Sequence, residues 1–260
     1  MSINSANQSH DDTTAARYGF RGGLVAGTLM YGHLTTPLVQ HLGAAWLDGS
    51  TAELKLLQPA YDGEWLTVES ATAPAEPGAC HLRLRNEAGT ELATLETRLT
   101  RELPPVDARA AMTPADAALP VVPIDWDTVQ VGVPLRALPW SITREAHEQW
   151  CDAAGDRLPL FRAGAAPRIQ PGRMLQGANE VFSHHYRLNP WIHAGSRIIQ
   201  RGPLRLGDAV EIRAVPIEKW DRKGHQFVTL YVAFLNGGRP VAEVYHPAIF
   251  KVRPAQPCAA

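Results

Sequence analysis

The chain has 260 residues, and its 25 Lys+Arg against 26 Asp+Glu give a formal net charge of -1. With 45% hydrophobic and 20% charged residues it has ordinary globular composition, too apolar to be mostly disordered. A near-neutral chain without a Lys/Arg run argues against nucleic acid as a partner. Cys80, Cys151 and Cys258 are far apart and odd in number, which argues against a zinc ribbon, a dithiol centre and a disulfide framework.

The first residues, Met1–Asp12, are polar and do not place an apolar run after a basic one, as a secretory signal would. No apolar stretch approaches the roughly 20 residues needed to span a bilayer. The expectation is a cytoplasmic protein with no membrane contact. The segment Leu24–Leu42 is long and apolar enough for a buried helix, with Gly22, Gly23 and Gly27 at its start and Pro37 predicting a kink or an early end. Four strand-like segments follow, at Thr51–Leu57, Glu64–Ala71, Ala79–Arg85 and Glu91–Thr100. Their period-two alternation suits half-buried antiparallel strands. Residues 104–123 are rich in Pro and Ala without a hydrophobic period, and read as a linker.

After a strand near Val129–Leu138 and a short helix near Thr143–Ala154, the order repeats. Pro171–Tyr186 is the second long helix, followed by strands at Ile192–Gln200, Ala209–Pro216, Gln226–Phe234 and Val241–Val252. Asn236-Gly237-Gly238 marks a hairpin turn. A single offset of 144 residues carries Gly27 onto Pro171, Leu42 onto Tyr186, Pro59 onto Pro203 and Gly63 onto Gly207. It also keeps the strand faces in phase, so the halves read as an internal duplication: unit 1–103, linker 104–123 and unit 124–260. A long helix followed by four antiparallel strands buries its apolar surface most simply inside a curved sheet. Two such units can pair edge to edge or face to face.

This layout resembles the double hot-dog proteins of the MaoC-like hydratase/dehydratase group over most of the chain. That group carries a loop of the form Asp-x-Asn-Pro-x-His before a glycine turn that opens the central helix. Here Asn7-Gln8-Ser9-His10-Asp11-Asp12 stands in that place, and Gly19–Gly27 looks like the helix-opening turn. In the second half Gly155-Asp156-Arg157-Leu158-Pro159-Leu160-Phe161 looks like the same loop, and Pro203–Asp208 like the strand-to-strand turn. The resemblance implies an α+β fold of two antiparallel sheets, each wrapped around a central helix. The group's Asp and the His five residues later are split here. The first half has Ser5 and His10, and the second has Asp156 and Phe161.

The implied activity is that of a hydro-lyase on an enoyl or 3-hydroxyacyl thioester carried by coenzyme A or an acyl-carrier protein, with no metal and no cofactor. A homo-oligomer stays open. His10 is the acid/base candidate because imidazole titrates near neutral pH. Asp12 can orient His10, or alternatively cap a helix. Asp156 is the retained carboxylate, Asn7 can hold a water, and Gly22, Gly23 and Gly27 can surround the thioester carbonyl at a helix N-terminus. Glu180 on the second helix is the base of an alternative, thioesterase, reading. His193 is a further catalytic candidate. The cluster His184, His185 and His193 lacks metal-ligand spacing. Because a fold does not fix its chemistry, the same layout also suits a non-catalytic acyl-binding partner subunit, or a natural-product cyclase or isomerase.

Overall fold

The computed structural model describes residues 20–72, 78–189 and 191–253. The first long helix, α1, runs Gly27–Leu42 and leads through Gly43 into the short α2, Ala44–Asp48. It begins later than the sequence suggests because Leu24 is extended, bridging to Tyr61, while the Val25 N–H donates to the Ala60 carbonyl. It continues through Pro37. The ring removes one main-chain donor, and just before it the Thr35 hydroxyl donates back to the Gly32 carbonyl at 3.0 Å, with the Thr36 hydroxyl 3.1 Å from the same oxygen.

Four strands follow: β1 (Ser50–Leu56), β2 (Leu66–Thr72), β3 (Ala79–Asn86) and β4 (Glu91–Leu99). The predicted linker holds a short 3-10 turn at Ala108–Ala111 and a two-residue strand, β5 (Val122–Pro123). It is strapped to the sheet. Glu243 is wholly buried, accepting from the Asp107 N–H and the Tyr231 hydroxyl and ion-paired to Arg201.

The strand expected at 129–138 is confined to β6, Leu138–Trp140. Gly132 and Pro134 keep the preceding residues irregular, although Gly132 and Leu135 still donate to β10 carbonyls. Helix α3 (Arg144–Ala153) is capped by the Thr143 hydroxyl and is followed by the single turn α4 (Pro159–Arg162). The second long helix, α5, is Pro171–His185. Then come β7 (Tyr186–Arg187), β8 (Ile192–His193), β9 (Gly195–Gln200), β10 (Val210–Arg222), β11 (His225–Asn236) and β12 (Arg239–Lys251). The β11–β12 hairpin turns on Gly237 and Gly238 at φ 57° and 77°, a conformation that costs glycine least.

Ten strands form one antiparallel sheet, along the path β2-β3-β4-β1-β9-β12-β11-β10-β6 with β8 beside β12, while β5 and β7 pair separately and in parallel. The two units therefore meet edge to edge, through β1 and β9. The offset of 144 is written into the pairing: Glu53 lies opposite Arg197, its own counterpart, so a pseudo-twofold axis passes between them. The isolated bridge Leu24–Tyr61 recurs as Arg168–Arg205, and the bond from Val25 to Ala60 recurs from Ile169 to Leu204. The helices touch each other as well. A side chain on Gly172 would overlap the Thr28 carbonyl, and the Thr28 hydroxyl donates to Gln176 Oε1 at 2.8 Å. Tyr31, Leu34, Leu175 and Phe182 from the helices and Leu82, Leu95, Ile212 and Phe234 from the sheet form one buried core. No helix among the described residues is long and apolar enough to cross a membrane.

Candidate active site

Asp156 sits at the end of the α3–α4 turn and is completely buried. Its main-chain N–H donates to the Cys151 carbonyl, which pins the loop to α3. Its carboxylate does not face α5, the helix of its own unit. It accepts from the Thr36 hydroxyl of α1 at 3.0 Å and from the Leu158 N–H at 3.0 Å. Arg162 binds the Asp156 carbonyl at 2.9 and 2.6 Å and the Asp152 carboxylate at 2.9 Å, so its charge is held by Asp152.

One turn before Thr36, α1 presents His33, which is partly buried. Burial holds its pKa below the ordinary imidazole value, against an opposing hydrogen bond to the Ala154 carbonyl and the nearby Asp156 charge. At neutral pH the ring is neutral. A neutral imidazole always keeps one ring nitrogen as an acceptor able to take a proton. The group's loop histidine is replaced by Phe161, which is wholly buried in the core. The structure thus ties Asp156 to the helix of the other unit that carries His33.

Beside this pair lies the start of α5. Gln170 caps it: its Oε1 accepts from the Gly172 N–H at 2.6 Å, the Trp150 indole at 3.1 Å and the Arg173 N–H at 3.3 Å. Its Nε2 donates to the Gly32 carbonyl at 3.2 Å. Three donors converge on one neutral oxygen, the arrangement that would hold a developing oxyanion, but the protein's own amide already occupies it. Behind Gln170, burial is the main cause that brings the His147 pKa down to about 4 and takes the Cys151 thiol up to about 12, so that thiol is not a nucleophile at neutral pH.

The remaining predicted residues fall elsewhere. Asn7, His10 and Asp12 lie outside the described residues. Gly22 lies in a bend and Gly23 just after it, in the segment that leads into α1. A side chain on Gly27 would overlap Leu56 Cδ1 and come within 2.9 Å of His193 Nδ1, so close packing of helix and sheet accounts for this glycine. His193 is buried and stacks on His246 with ring centroids 4.1 Å apart. The Ser196 hydroxyl lies between them, 2.9 Å from His193 Nε2 and 3.1 Å from His246 Nδ1. Glu180 has both oxygens engaged, one by the Trp140 indole at 2.6 Å and one by Arg173 at 2.8 Å. His185 accepts from the Arg136 N–H, on a different element from His193. Among the described residues no group of three or more His, Cys, Asp or Glu is placed to share a metal ion.

His33, Thr36 and Gln170 escape the sequence reading. The sole signal for His33 is an imidazole inside an otherwise apolar helical run, and this is more often a satisfied core residue.

No family model matches the chain, and no curated protein matches it by sequence. Its fold does match solved structures. A protein described as a MaoC domain dehydratase from Chloroflexus aurantiacus superposes with TM-score 0.68 at 11% identity, covering 96% of this chain and 88% of that one. A MaoC-like dehydratase gives 0.59 at 15% identity over 94% and 89%. A conserved Mycobacterium tuberculosis protein described as having a double hotdog fold gives 0.53 at 15% identity over 95% and 88%. The fold is therefore the double hot-dog. More specifically, it is the full-length arrangement shared with MaoC-like dehydratase structures, as the sequence resemblance implied.

Proposed function

We propose that this chain is a hydro-lyase that adds water to, or removes it from, an enoyl or 3-hydroxyacyl thioester carried by coenzyme A or an acyl-carrier protein. The single observation behind this reading is the buried Asp156 carboxylate bonded to Thr36 of the opposite unit's helix, with His33 one turn earlier on that helix and within the influence of its charge. In the hydration direction the neutral His33 takes a proton from water, whose oxygen bonds to the β-carbon. The proton is returned to the α-carbon as the double bond is lost, and Asp156 orients the water or the product hydroxyl. His10, with Asp12 beside it, is proposed as a second imidazole of the site, and Asn7, Gly22 and Gly23 as neighbours of the thioester carbonyl. Units 1–103 and 124–260, joined by 104–123, would supply the two sides. Fold neighbours described as dehydratases support this reading.

The test is loss of enoyl-thioester absorbance without release of thiol. Asp156→Asn and His33→Gln should each lower kcat/KM by roughly 100-fold or more, the range for a lost acid or base. Full activity in Asp156→Asn would refute the assignment, and full activity in His10→Ala would remove His10 from it. Free thiol would indicate hydrolysis instead. One observation favours a second reading, a non-catalytic acyl-binding subunit: the donors at the start of α5 are already filled by Gln170. Tight binding of the thioester without turnover by the unmodified chain would establish that reading.

A further inference from the structure

Two arginines, Arg157 and Arg162, follow the buried Asp156 closely in the chain, and neither donates to its carboxylate. Arg162 reaches the residue but grips its main chain, with Nε and Nη2 at 2.9 and 2.6 Å from the Asp156 carbonyl oxygen. The same Nη2 donates to Asp152 Oδ1 at 2.9 Å, and Arg157 donates to that oxygen at 3.1 Å. Among the described residues the Asp156 carboxylate is left with two neutral donors, the Thr36 hydroxyl and the Leu158 N–H.

A guanidinium and a carboxylate make one of the strongest hydrogen-bonded pairs, and the more so away from water. A guanidinium with no other acid to bind, standing at the Asp156 carbonyl, would turn to the carboxylate of the same residue. Asp152 competes for it. Its place in the chain fits that part. It lies in the last turn of α3, where the partial negative charge of the helix end disfavours an acid. Its side chain is 56% exposed, so burial does not account for it either. We propose that Asp152 is a positioning residue for Asp156. It holds the charge of Arg157 and Arg162, so that Arg162 fixes the main chain of the site while the carboxylate stays unpaired. Both carboxylate oxygens then remain acceptors for neutral donors and for the reacting water or hydroxyl. A guanidinium bound to them would use up that capacity. This deepens the proposed function and rests on it for turnover, but the division of charge is testable without turnover.

Asp152→Asn keeps the oxygen that both arginines bond and removes only its charge, so a purely structural link survives the change. The full-length variant is followed by NMR titration of the His33 imidazole. The Asp156 charge favours protonation of His33. A guanidinium drawn onto Asp156 should therefore move the His33 midpoint to lower pH, by about 0.3 unit or more. Adding Arg162→Met to Asp152→Asn should cancel most of that displacement, and Asp152→Glu should show none of it. With an enoyl thioester, Asp152→Asn should lower kcat by roughly tenfold or more, with KM kept within about twofold, and Asp152→Glu should recover most of the rate. An unmoved His33 midpoint in folded Asp152→Asn protein, or a displacement that persists without Arg162, would overturn the proposal, as would an unchanged kcat in that variant of an active chain. Absence of turnover by the unmodified chain, with the His33 displacement present, would instead refute only the hydro-lyase reading.

Discussion

Replacing Gln170 by alanine tests the idea that the second helix is held at its start by a captive amide. Gln170 is wholly buried and makes four hydrogen bonds, three through Oε1 and one through Nε2. Loss of a helix cap costs about 1 kcal/mol. Stranding the buried Gly172 N–H and Trp150 indole adds about 1–3 kcal/mol for each. The Gly32 carbonyl keeps the Thr35 hydroxyl, so its loss counts little. The sum is roughly 3–5 kcal/mol, once partial rehydration of the space is allowed for. In a chain of this size that lowers Tm by roughly 6–20 °C. Urea denaturation at pH 7 measures it directly. Gln170→Glu sharpens the test: a protonated Glu reproduces the amide's bonds, whereas the carboxylate sets an anionic oxygen against the Gly32 carbonyl. That variant should be less stable at pH 8 than at pH 5, relative to the unmodified chain. A Gln170→Ala protein within about 0.5 kcal/mol of the original would refute the reasoning, because it would mean that those donors do not depend on the side chain.

The stacked pair should give the protein an acid-sensitive stability. Burial lowers the His193 pKa to about 4 and puts His246 well below the ordinary value, so the folded chain resists protons that the unfolded chain takes up below about 6.5. Stability contributed by the neutral rings is complete above that pH and declines as pH falls toward 4, by up to about 1.4 kcal/mol per pH unit for each ring. His246→Phe should flatten this slope in denaturation curves taken from pH 7 to 4.5, and an unchanged slope would exclude the pair as its cause. At the strap, Glu243→Gln removes the buried charge that holds Arg201 and leaves that cation uncompensated, a cost of about 3–5 kcal/mol. Limited proteolysis should then cut near Asp107 faster, and cleavage at the original rate would show that the strap is anchored by other contacts.

The fold was largely legible because its signals are periodic. The alternating segments at 79–86 and 91–99 and the apolar run ending at Leu42 each carry their structure within a few turns of chain. The duplication was legible for the same reason: turn glycines such as Gly63 and Gly207 hold the same left-handed φ, 83° and 91°. The segment 129–138 departs from expectation because strand composition there is overruled by Gly132 and Pro134. Ile192–Gln200 is interrupted by Ala194, where His193 turns into the core. The candidate site was legible only in part. Asp156 could be found from its loop, but its partner Thr36 lies 120 residues away on the other unit's helix, and no local pattern encodes a contact between units. Gln170 escaped because glutamine at a cap position carries little signal beside Ser, Thr, Asp or Asn.

The axis between Glu53 and Arg197 has a consequence for how such a molecule can change. In a symmetric pair of identical chains, whatever stands on the axis confronts its own image, so a charge there always meets a like charge. Joining the copies into one polypeptide lifts that restriction. Here the junction carries an acid facing a base, a combination that no homodimer could place on its twofold.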